Sequence, residues 1–104
     1  MKLLRIPNSR GVLFVPPAQI IRIEGMSNYS KIFFTNDRPM VVAKVLCWFQ
    51  QTLPQQMFAR VHRSHLVNRL FVKETDGSNI ILLTNGEKIA MSRRKKMILG
   101  SVEK

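Results

Sequence analysis

Short apolar runs separated by polar, proline- or glycine-bearing steps occupy most of the chain, and this rhythm predicts strands rather than long helices. Residues 2–6 and 11–15 read as two strands joined through Pro7-Asn8-Ser9-Arg10, whose composition suits a tight reversal. Pro16-Pro17 ends the second run. A third strand is expected over 20–24 and a fourth, carrying Ile32, Phe33 and Phe34, over 31–35. Between them lies the polar loop Gly25-Met26-Ser27-Asn28-Tyr29-Ser30. After the turn Asn36-Asp37-Arg38-Pro39 the period changes: Val42, Val45, Leu46, Phe49 and Leu53 recur at helical spacing, predicting an amphipathic helix over 43–53 that Pro54 closes. Strands return over 58–61, 70–75, 79–84 and 87–91, with Asn85-Gly86 marking a hairpin between the last two. Ser92 is placed as the N-cap of a short helix over 93–99. The expected fold is mostly β, small antiparallel sheets with one or two short helices.

A length of 104 residues predicts a single domain, large enough to bury a core without metals or disulfides. The apolar share of 45% and charged share of 22% are globular values, which excludes wholesale disorder. Charge balance changes the picture more. Seventeen Lys and Arg against six Asp and Glu leave a net charge of +11, a self-repulsion that a polyanionic partner relieves. One cysteine, Cys47, excludes an intramolecular disulfide, and the N-terminus has no signal-peptide core, so the cytoplasm is the expected compartment, with no membrane partner.

Three polar segments at strand ends each combine a cation with hydrogen-bonding side chains: Ser27 to Lys31, His62 to His65, and Ser92 to Lys96. That mixture suits groove reading, since Arg bonds bidentately to guanine, Asn to adenine, and Ser or Lys reaches phosphate; strand-connecting loops are also polar for no functional reason. In the third segment, Arg93-Arg94-Lys95-Lys96 opens the expected helix with cations at the positive end of its dipole, an arrangement that a phosphate backbone would turn from unfavourable to favourable. Other chemistry finds little support. His62 and His65 match no standard zinc spacing, Cys47 reads as a buried, inert helix thiol, and the carboxylates mostly sit in or beside turns. Glycines are scattered singly, so no phosphate-cradling loop exists. Neither an enzyme nor a cofactor or metal is expected. The phenylalanines read as core, leaving Tyr29 without the companion aromatics of a single-strand binder.

The run Phe58-Ala59-Arg60-Val61-His62-Arg63-Ser64-His65-Leu66-Val67-Asn68 closely resembles the signature of the LytTR family of bacterial transcription regulators, with His65 where an aromatic is usual. Upstream, Ile21-Arg22-Ile23-Glu24-Gly25-Met26-Ser27-Asn28-Tyr29 resembles a second family motif, and Met91-Ser92-Arg93-Arg94 a third, in the same order. The resemblance implies an elongated set of small antiparallel sheets whose loops, rather than a recognition helix, enter grooves of double-stranded DNA. It implies base reading by Ser30, Arg63 and Arg94, with Asn28, Tyr29, Lys31, His62, Ser64, Arg93 and Lys95 as phosphate contacts or loop supports. It also suggests two copies on repeated half-sites. Many members carry an N-terminal receiver domain, for which residues 1–104 leave no room.

Two other classes fit the charge. A structural or ribosome-associated RNA-binding protein is the main alternative, although the cations here are spread through strands and loops rather than gathered in a tail. A module for acidic protein or lipid fares worse, because Lys44 is the sole cation of the expected helix.

Overall fold

A computed structural model of the chain describes residues 2–75 and 79–92. Among these, ten strands form three antiparallel sheets, accompanied by one α-helix and two single-turn 3-10 helices. Strands β1 (Leu4–Asn8) and β2 (Gly11–Val15) make a hairpin. Strands β3 (Ile20–Met26), β4 (Tyr29–Phe34), β5 (Met40–Val42), β6 (Phe58–His62) and β7 (His65–Asn68) form a central sheet in the order β5-β4-β3-β7-β6. A third sheet is the meander β8 (Val72–Thr75), β9 (Ile80–Leu83) and β10 (Lys88–Ala90). The fold is thus mostly β, as expected, with principal extents of 43 × 28 × 23 Å.

Both faces of the central sheet are covered. On one, Ile20, Ile23, Ile32 and Leu66 pack under Leu4, Ile6 and Val15 of the hairpin and under Leu46 and Phe49 of helix α1 (Leu46–Thr52) and its C-cap Leu53. On the other, Ile21, Ala59, Val61 and Val67 meet Ile81, Leu83 and Ile89 of the third sheet. A bulge between Ile20 and Arg22 puts Ile21 and Arg22 on the same side. Arg22 is therefore buried against the third sheet. Its guanidinium donates to both Glu87 carboxylate oxygens at 3.1 and 2.9 Å, lies 3.6 Å from Glu24, and stacks 3.6 Å from the centre of the Phe33 ring. These partners offset the desolvation of a buried cation.

Several expectations need correction, among them the absence of strands at β5 and β7. The helix starts at Leu46 rather than at residue 43, because Val42 pairs with Ser30 in β5 and Val45 stays extended at φ −75°, ψ 159°; Lys44 thus precedes the helix. Cys47 is exposed, since Leu46 and Phe49 take the inward face of so short a helix. Phe14 is 57% exposed, because inward positions of β2 fall to Leu13 and Val15. The first reversal is also tighter than its composition implied. Asn8 faces Gly11 as the closing pair, so Ser9-Arg10 alone turn, and Pro7 falls in a non-hydrogen-bonded pair with Val12, where its missing N–H costs nothing. The expected helix over 93–99 lies outside the described residues.

Asn68, at the end of β7, is fully buried and holds three segments together. Its side-chain amide donates to the Ile20 carbonyl at 2.8 Å, and its oxygen accepts from the Leu70 N–H at 2.9 Å, capping the 3-10 turn Arg69–Phe71. Asn68→Ala leaves both partners without a bond, and we expect it to cost about 2–3 kcal/mol. Urea unfolding checks this: a loss below about 0.5 kcal/mol, the range of ordinary surface changes, would mean that water replaces the amide.

Candidate nucleic-acid interface

Pairing in the central sheet brings two of the three polar segments together. β3 runs antiparallel to both β4 and β7, so the β3–β4 turn, Ser27-Asn28, and the β6–β7 turn, Arg63-Ser64, project from the same end. Two strand spacings, about 10 Å, separate their centres. A backbone hydrogen bond links their bases, from the Gly25 N–H to the Ser64 carbonyl at 2.9 Å. Packing is close at Gly25 too, since a Cβ there would lie 3.3 Å from the Leu46 Cβ and would press on the helix start.

Each turn is braced. Ser27 holds φ 58°, the left-handed region, which exposes the turn while β3 and β4 stay in register. Behind the second turn, Arg60 donates to the Arg63 carbonyl at 2.6 Å and to Gln50 Oε1 on α1 at 3.0 Å, and His62 Nδ1 accepts from the Ser64 N–H at 3.1 Å. The Arg63 side chain is left exposed at the apex. Arg60 was not singled out from the sequence; its alternation with Phe58 and its place three residues before Arg63 were the available signal.

Ser30, expected to read a base, is fully buried, and its hydroxyl donates to the Lys44 carbonyl at 2.6 Å. In this conformation it ties β4 to the β5–α1 connection and supports the first turn from beneath. Asn28 and Tyr29 are exposed at that turn. Lys31 stands lower, in a cross-strand row Lys31, Glu24, His65, His62 on the face shared with Arg22. Arg93, Arg94 and Lys95 lie outside the described residues; just before them, the Ser92 N–H donates to the Val61 carbonyl at 2.8 Å, beside β6.

His62 and His65 face each other with ring centres 5.3 Å apart. Burial lowers the pKa of His65 from its ordinary 6.5, outweighing the attraction of Glu24, and His62 and Arg22 push it the same way. Its Nδ1 is buried without a hydrogen-bond partner. The Glu87 carboxyl is lowered chiefly by its hydrogen bond from Arg22, which burial opposes and Asn85 assists. Among the described residues, no three His, Cys, Asp or Glu side chains are grouped so as to hold a metal ion.

An antiparallel β domain that presents cationic and amide-bearing turns from one sheet end is a class suited to a polyanion's grooves. The sequence matches the LytTr DNA-binding domain family over residues 10–100, and the chain belongs to that family. Membership assigns it DNA binding in bacterial transcription regulation. Its fold is similar to the LytTr DNA-binding domain of a response regulator from Bacillus cereus, with a TM-score of 0.80 and 19% identity, covering 99% of this chain and 97% of that one. No curated protein sequence matches the chain. No helix among the described residues is long and apolar enough to cross a membrane.

A pH dependence follows from His65. Its folded pKa is depressed, so as pH falls through 6.5 the unfolded chain takes up this proton first; the associated stability is present above that pH and is lost below it. Unfolding titrations between roughly pH 7.5 and 5.5 should show that decline. His65→Phe, which restores the aromatic usual in the family, should flatten it; an equal decline in the variant would assign the proton elsewhere.

Proposed function

We propose that the chain binds double-stranded DNA in a sequence-specific manner, as a single cytoplasmic domain without enzymatic activity, and that turns at the end of the central sheet read the bases. The observation that carries this reading is the union of the Ser27-Asn28 and Arg63-Ser64 turns by the Gly25–Ser64 hydrogen bond, with the Arg63 side chain free at the apex. Arg63 is the base reader of the second turn, presenting a bidentate donor pair suited to guanine. Arg94 is assigned the same role in the third segment on the family resemblance. With its hydroxyl committed to Lys44, Ser30 becomes a support, and Asn28, at the exposed apex, is the first turn's candidate for a base edge. Tyr29, Ser64, Arg93 and Lys95 contact phosphates, while His62 and Lys31 support the turns. Two copies on repeated half-sites would supply a footprint longer than one domain.

Selection of bound duplexes from a random pool at about physiological salt tests the reading. The wild-type chain should yield a defined motif. Arg63→Ala should lose about 1–3 kcal/mol of affinity for it and relax preference at one position, as expected for a bidentate pair. Identical preferences in both proteins would remove Arg63 from base reading, and preference for structured RNA over any duplex would overturn the proposal.

A further inference from the structure

A third turn reaches the same end of the molecule. Ser9-Arg10 form the apex of the β1–β2 hairpin, which is braced by a hydrogen bond from the Arg10 N–H to Asn8 Oδ1 at 2.8 Å, while Gly11 supplies the positive φ of 125° that the turn needs. Pro7, Asn8 and Ser9 border a cleft of about 430 Å³ shared with Tyr29 and with Met40, Val41, Val42 and Ala43. The opposite end of the hairpin, at Val15, borders Phe34 and Asn36, beyond the far end of β4. The apex therefore points the same way as the Ser27-Asn28 turn.

Helix α1 packs against β3, β6 and β7, and the hairpin borders β5 on the same face. Across this end the order is Arg63-Ser64, Ser27-Asn28, the Lys44 segment, and then the hairpin apex. From β6 to β5 is four strand spacings, about 19 Å. That exceeds half a helical turn of duplex, roughly 17 Å, so DNA lying across the two paired turns continues past β5. Arg10 is exposed there, and its guanidinium makes no hydrogen bond or ion pair with any described residue. Among the described carboxylates, Asp37 lies beyond the far end of β4, Glu24 and Glu87 are held by Arg22 on the other face, and Glu74 belongs to β8 of the third sheet.

We propose that the β1–β2 apex is a further DNA-backbone contact, in which Arg10 binds a phosphate outside the stretch covered by the paired turns. The inference rests on the duplex-DNA reading above. It makes Arg10 a residue of affinity and register rather than of base preference. Strand β1 itself precedes the residues matched to the family.

Binding of the full chain to its selected duplex, titrated between roughly 50 and 200 mM salt, provides the test, together with hydroxyl-radical protection of the DNA backbone. Arg10→Ala should reduce the slope of log affinity against log salt by about 0.9, so that affinity falls about 3.5-fold less across that range than for the wild type. The preferred sequence should stay the same, and protection should shorten on one flank. Arg10→Lys should restore the slope, and Arg38→Ala, at the opposite end, should leave it unchanged. Wild-type binding with an unaltered slope and footprint in Arg10→Ala would overturn this inference alone. Absence of duplex binding by the wild-type chain would sink the DNA reading and this inference with it.

Discussion

The structure depends on burial of β3 and β7 on both faces. Ile20 and Ile23 face the hairpin and helix while Ile21 faces the third sheet, and Leu66 and Val67 divide in the same way. Strands that are apolar on both sides lose the usual protection against slippage, because a one-residue shift no longer drives a polar face inward. Three local demands fix the register instead. Asn68 must reach the Ile20 carbonyl, Arg22 must meet Glu87, and Gly25 lets Leu46 pack closely over the end of β3. Each fails if β3 or β7 moves by one residue, so the polar and glycine positions supply a uniqueness that apolar burial alone does not.

That register sets the spacing of the paired turns. Gly25 lies one residue before Met26, where β3 ends, and its N–H meets Ser64 in the neighbouring turn. The contacts that hold the core in register and those that align the two apices are therefore continuous. Arg60 extends the continuity to α1 through Gln50, which sets the second turn against the helix as well as the sheet.

Much of this was legible in the sequence. Alternation and breakers located eight of the ten strands, missing the short β5 and β7, and the three polar segments proved to include two that the sheet unites. What stayed hidden depends on pairing partners. Val42 and Val45 fit a helical period as well as Leu46 does, and only the pairing of Val42 with Ser30 takes them out of the helix. Ser30 looked like a loop hydroxyl because nothing local marks its neighbour across the sheet, the Lys44 carbonyl. Arg22 and Glu87 stand 65 residues apart, a separation at which no periodicity signals an ion pair. Arg10 went unremarked for the opposite reason: an arginine in a hairpin turn is ordinary until the fold shows which way the hairpin points.

The paired turns carry their side chains outward while the sheet holds their backbone. Ser27, Asn28 and Arg63 contribute nothing to either hydrophobic cluster. Their replacement changes the surface offered to a partner and leaves the packing that supports it intact. At 19% identity, the Bacillus cereus domain keeps the architecture across nearly the whole chain. Such a scaffold separates surface from frame: side chains at the turn apices can change without disturbing the contacts of Asn68, Arg22 and Gly25 that hold the strands in register.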